Sequence, residues 1–130
     1  MMPPRLFAFG ALVTWAYVAV AAEDKPLTPA EARKKVGEKI TVEMTVRAAK
    51  DRLEERGEIY LDSETNFRDE KNFAVVITKA GAASLKKGGI GNPAVHFQGK
   101  KIRATGTVKE VDKVPRIEID DRKQLEVVGK

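Results

Sequence analysis

From residue 39 onward the chain reads as short strands of alternating apolar and polar residues, interrupted once by a helix, and few folds accommodate that order. Lys39–Ala48 sets Ile40, Val42, Met44 and Val46 against Lys39, Thr41, Glu43, Thr45 and Arg47, the period-two pattern of a half-buried strand. Strands are predicted again over Gly57–Ser63, Asn72–Thr78, Gly99–Val111 and Arg116–Val128. Their inward residues are Ile59 and Leu61, then Phe73, Val75 and Ile77, then Ile102, Ala104, Gly106 and Val108, then Ile117 and Ile119. Gly106 in mid-strand marks a bulge or a sharp bend where a side chain would clash. Ala80–Lys87 has helical composition and stops at Gly88-Gly89. Ala49–Arg56 reads as a loop or a ragged helical turn, and Gly91-Asn92-Pro93 as loop. A helix placed between the third and fourth of five strands implies an all-β chain with short helices, folded as a Greek-key barrel.

The first 22 residues stand apart. One positive charge in Met1–Arg5, an apolar run Leu6–Val18 and the small residues Ala19-Val20-Ala21-Ala22 compose a secretory signal. Leu6–Ala22 is shorter than the ~20 apolar residues a spanning helix needs. The expectation is cleavage near Ala21 or Ala22, a periplasmic or secreted product, and no membrane span thereafter; a retained anchor is the alternative. Residues 23–37 follow as a polar leader and a short helix, capped by Thr28 with Pro29 and Glu31 behind it. Ala32 and Val36 share one face of that helix. Residues 38–130 form the barrel domain.

Among its 130 residues the chain has 24 basic and 19 acidic ones, a net charge of +5. Loss of Arg5 with the leader leaves 23 against 19, or +4. The pI of 9.5 suits an acidic partner, although the acids are spread among the bases. There is no cysteine, which excludes disulfides, thiol catalysis and cysteine-held metals.

The segments Gly57–Asp62, Asn72–Ile77, Gly99–Thr107, Pro115–Ile119 and Gln124–Val128 together resemble small exported bacterial OB-fold domains of the predicted nucleic-acid-binding type, some of which occur beside secreted nuclease modules. The resemblance covers Val36–Val128. It implies a five-stranded OB barrel that binds nucleic acid on the face of its second and third strands.

On that expectation the binding residues are Lys101, Arg103 and Lys109 with Arg47, forming one basic stripe beside an outward Tyr60, with Phe67 and Arg68 in the adjoining turn. Such a groove combines phosphate contacts with aromatic platforms for bases. Lys50, Arg52 and Arg56 are balanced by Asp51, Glu54 and Glu55 and add no net charge. The partner is then single-stranded DNA or RNA, held weakly and electrostatically. The alternative is an envelope module for a protein or a small anionic ligand, with no nucleic-acid role.

No cofactor or metal is called for. The turn Asp62–Glu70 has oxygen ligands at alternate positions, but Phe67 and Phe73 stand where a calcium loop requires glycine and glutamate, so it reads as a polar turn. His96 is the single histidine and builds neither a triad nor a zinc site alone. Lys86-Lys87-Gly88-Gly89 lacks the order of a phosphate loop. One nuclease class is itself an OB barrel, yet its arrangement of paired acids and arginines is not found here. Asp120-Asp121, adjacent on a strand, would point to opposite faces. The chain reads as non-catalytic.

Overall fold

A computed structural model describes residues 25–129; the signal expected over residues 1–22 lies outside them. The chain begins with one helical turn, α1 (Pro29–Ala32), held by reciprocal bonds in which Glu31 N–H donates to Thr28 Oγ1 and Thr28 N–H to Glu31 Oε1. This is the predicted capping box. The helix ends too soon to include Val36, which is 49% exposed rather than sharing a buried face with Ala32.

The first predicted strand divides in two, β1 (Lys39–Thr45) and β2 (Ala48–Arg52), so part of the expected loop is strand. A single turn, α2 (Leu53–Arg56), leads through a left-handed Gly57 into β3 (Glu58–Asp62). β4 (Ala74–Thr78) runs directly into α3 (Lys79–Lys87), capped by the Thr78 hydroxyl. The expected loop at Pro93 is a further short helix, α4 (Pro93–Phe97), capped by Asn92. It buries Phe97, which is 2% exposed, against the core. Next come β5 (Lys101–Val111), β6 (Val114–Ile119), a 3-10 turn (Arg122–Gln124) and β7 (Leu125–Val127). The last predicted strand is therefore two strands broken by a capped turn.

The strands form one sheet in the order β1-β5-β6-β4-β3-β2, with β7 beside β5. All pairings are antiparallel except that of β4 with β6. The sheet is open between its ends β1 and β2, but these are consecutive in the chain. At the corner Val46 exchanges hydrogen bonds with the loop before β5, and Arg47 N–H donates to Asp62 O in β3. One bent strand thus serves both edges, which is the Greek-key connection expected.

The interior is aliphatic. Val42, Val46, Leu61, Val75, Ile77, Ile102, Ile117 and Ile119 are fully buried around Phe73, each contributing about 1.5–3 kcal/mol by leaving water. β4 is central and buried on both faces, since Ala74 and Val76 on its outer side are also covered. Gly106 does sit at a close approach: a Cβ there would lie 2.7 Å from Ile117 Cγ2.

Candidate nucleic-acid interface

Cross-strand register carries one set of side chains across the outer wall of the sheet. Lys50 of β2 lies opposite Tyr60 of β3, Tyr60 opposite Val76 of β4, and Val76 opposite Glu118 of β6. One residue pair along, Asp62, Ala74, Arg116 and Lys109 form a parallel row. The small side chain of Ala74 makes a low floor. Tyr60 and Phe67 rise from it, and a cavity of about 370 Å³ opens between β2, β3, β6 and the turn after β3. Lys50, Arg52, Arg56, Asp62, Asn72 and Arg116 also line it.

A chain of ionic contacts crosses this wall. Tyr60 Oη donates to Glu58 Oε1. Arg116 Nη1 donates to Glu58 Oε2 at 3.0 Å and to Glu118 Oε2 at 3.3 Å. Lys109 Nζ stands 3.3 Å from Glu118 Oε1. Burial alone would raise the Glu58 carboxyl, but the hydrogen bonds from Tyr60 and Arg116 prevail and hold it below its usual range. Arg116 Nε is buried without an acceptor among the described residues.

Asp62 is 4% exposed. Its Oδ1 accepts from Asn72 Nδ2 at 2.9 Å, and its second oxygen accepts no hydrogen bond among the described residues. Burial pushes this carboxyl up, against the opposing effects of Asn72 and the Lys50 and Arg116 charges. A raised pKa in the folded state means that the native protein binds the proton more tightly than the unfolded chain. Stability from this group is therefore greatest below the ordinary carboxylate value and declines as pH rises through the raised one. Asp62→Asn keeps the acceptor for Asn72 and removes the buried charge. It is expected to melt above the wild type at pH 7, with the difference vanishing near about pH 3; a lower melting temperature at pH 7 would contradict the sign.

The residues expected from sequence fall into separate places. Tyr60 and Phe67 belong to the cavity wall, with Phe67 43% exposed, whereas Arg68 lies outside it against the Phe67 ring. Lys50 Nζ and the Arg68 guanidinium lie 5.1 and 5.3 Å from the Phe67 ring centre. Lys109 joins the same wall through Glu118. Lys101 and Arg103 lie elsewhere, on the β1–β5 side, where both are held by Glu43 at 3.8 and 2.9 Å. Arg47 is exposed at the β1–β2 corner and lines a shallow hollow with Lys101, Glu43 and Glu64. The single stripe is divided because β5 pairs with β1 over Lys101–Thr107 and with β6 over Val108–Val111, so its outward residues face different sides of the molecule.

Lys50, Arg52, Asp62, Asn72 and Arg116 were not singled out from sequence. Their signal is the continued alternation of Lys50-Asp51-Arg52, Tyr60-Leu61-Asp62 and Arg116-Ile117-Glu118. Asp120 and Asp121 lie beyond β6 and serve as caps: Asp120 accepts from the Thr78 hydroxyl, and Asp121 closes the 3-10 turn. His96 packs edge-on against Phe97 at 4.7 Å. Among the described residues no three histidines or carboxylates gather as a metal site, and no helix is long and apolar enough to cross a membrane.

No protein-family model matches the chain, and no curated protein matches it. Solved structures match its shape. Asparaginyl-tRNA synthetase from Pyrococcus horikoshii superposes with a TM-score of 0.53 at 16% identity, over 80% of this chain and 23% of the synthetase. Aspartyl tRNA synthetase from Entamoeba histolytica gives 0.51 at 13% identity, over 99% of this chain and 28% of the other. The chain thus spans about a quarter of the length of the synthetases it matches. At such identities the likeness is one of architecture, and with the strand order described above it makes this an OB-fold.

Proposed function

We propose that this chain is an exported, non-catalytic OB module that binds single-stranded nucleic acid weakly, through the outer wall of β2, β3, β4 and β6. The observation that carries the reading is the cavity holding two aromatic side chains beside Lys50, Arg52 and Arg56. Bases stack on exposed rings at about 1–3 kcal/mol each, and basic side chains track the phosphates. The shape matches are consistent with it, since both synthetases are by name enzymes of tRNA. Export rests on the pattern of residues 1–22.

Contacts from Lys50, Arg52, Arg56 and Arg68 with three or four phosphates should make affinity fall roughly 20- to 50-fold between about 50 and 200 mM salt. Fluorescence polarisation with a labelled single strand measures this. The double variant Lys50→Glu, Arg52→Glu is expected to bind at least about tenfold more weakly. Lys101→Glu, Arg103→Glu should lose less, because neither lines the cavity and Glu43 engages both bases; Arg52 is itself paired with Glu55 at 3.5 Å, so Lys50 should carry the larger share of the first loss. An unchanged affinity in the first variant would refute this placement. The second reading, an envelope protein or small anion as ligand, is favoured by the pairing of Lys101, Arg103 and Lys109 with carboxylates; absence of strand binding even at low salt would leave it standing alone.

A further inference from the structure

We propose that the cavity beside Tyr60 is a one-base pocket that selects guanine, with Asp62 accepting from the N1–H and N2–H donors and Lys50 and Arg116 supplying protons to O6. The inference rests on the nucleic-acid reading above and adds to it which base the site reads.

Three observations carry it. The cavity, at about 370 Å³, falls within the ~300–1,000 Å³ of small-ligand pockets, and Phe67 offers an exposed ring at its edge. Asp62 is almost wholly buried, yet one carboxylate oxygen has no partner among the described residues. That oxygen is not sealed from solvent, and a ligand donor in the cavity would take the place of water on it. On the same cavity wall Arg116 Nε is a buried donor with no acceptor. The wall therefore holds an acceptor open to solvent together with an unpaired donor that a ligand reaches only if the Arg116 side chain shifts.

A phosphate suits the part of this wall around Asp62 and Arg116 poorly, in contrast to Arg52 and Arg56. Asp62, Glu58 and Glu118 would repel it, and the Arg116 guanidinium is already shared between two carboxylates. A base edge suits it well. Guanine presents two adjacent donors, N1–H and N2–H, followed by the O6 acceptor, which complements a carboxylate beside a cation. Cytosine and adenine offer one amino group, and a thymine or uracil edge would turn a carbonyl oxygen toward the carboxylate.

The test is fluorescence polarisation of the full chain, at about 50 mM salt, with a labelled oligothymidine strand and with versions carrying one central dG, dC, dA or deoxyinosine. A bidentate base contact discriminates by about 1–3 kcal/mol, so the dG strand is expected to bind about 5- to 100-fold more tightly than oligothymidine. Deoxyinosine, which lacks N2, should fall between them and probes the contact in the unaltered protein. Asp62→Asn should reduce the dG preference to less than about twofold while oligothymidine still binds. Equal affinity for all strands, a preference for dC over dG, or a dG preference that survives Asp62→Asn would overturn the pocket and leave general strand binding intact. Failure of every strand to bind would overturn both.

Discussion

Replacing Gly81 with alanine is expected to destabilise the domain by about 3 kcal/mol or more, at the upper end of overpacking costs. In a solvent-exposed helix the same change would stabilise by up to about 1 kcal/mol, because alanine is the better helix former. Here the sign reverses for a steric reason. α3 leaves β4 without a loop, and its first turn lies against the end of β6. A Cβ on Gly81 would stand 2.0 Å from Ile119 O and 2.9 Å from Ile119 C. Those are backbone atoms at the end of a buried strand paired with β4 through Ile77, so neither side can give way cheaply. The helix would have to lift, straining the Thr78 hydroxyl, which caps α3 and also donates to Ile119 O. For a domain of this size the loss corresponds to roughly 10–20 °C in melting temperature. Gly91→Ala is the control, since nothing lies within 4 Å of a Cβ there, and it should stay within about 0.5 kcal/mol of wild type. Thermal melts that coincide for the two variants would show that α3 does not rest on β6 in this way.

The close approach of α3 to β6 also illustrates what the sequence conveys and what it leaves out. Alternation announced β1, β3, β4 and β5, because in each the apolar residues line a single interior and the pattern has period two. It also announced a position without room for a side chain at Gly106, where a Cβ would meet Ile117 Cγ2, although no bulge interrupts the pairing with β1 there. It did not announce that strand one breaks after Thr45. The residues at the corner, Val46 and Arg47, keep the alternation while their hydrogen bonds pass from the loop before β5 to β3. Gly91-Asn92-Pro93 read as loop because Pro and Asn are turn residues, yet Asn92 and Pro93 are equally the cap and first residue of α4. The wall proposed to bind was the least legible part. Tyr60, Phe67, Arg68 and Lys109 were recognised as outward, but which outward residues meet is decided by register between strands far apart in the chain. Asp62 and Arg116, 54 positions apart in number, line one cavity only because β4 lies between them. Local charge counts hid Lys50 because Asp51 beside it points the other way, whereas Arg52 is in fact paired with Glu55 on the same cavity wall at 3.5 Å.

Asn72→Ala is expected to cost about 3 kcal/mol and to weaken strand binding together with stability. Asn72 is completely buried, and its amide joins both sides of the turn that carries Phe67 and Arg68. Its Oδ1 accepts from Glu64 N–H at 3.0 Å and from the Ser63 hydroxyl at 3.4 Å. Its Nδ2 donates to Asp62 Oδ1 at 2.9 Å and to Phe67 O at 3.4 Å. Ser63 Oγ in turn accepts from Phe73 N–H, so the side chain ties the turn to the first residues of the next strand. Truncation leaves the Glu64 amide and the Asp62 carboxylate without those partners, and each such buried group costs about 1–3 kcal/mol. Asn72→Asp separates the two losses. It restores an acceptor for Glu64 N–H but sets a second carboxylate beside Asp62, so it should be as destabilised as the alanine variant at pH 7. It should recover as pH falls and the pair takes up a proton, whereas Asn72→Ala should show no such recovery. Hydrogen exchange supplies the local readout. Amides of Glu64 and of the turn through Arg68 should lose protection in Asn72→Ala, while those of β5 and β6 lose only what the global destabilisation requires. A variant that melts within about 0.5 kcal/mol of wild type with the turn still protected would mean that the Asn72 amide does not hold the wall of the cavity in place.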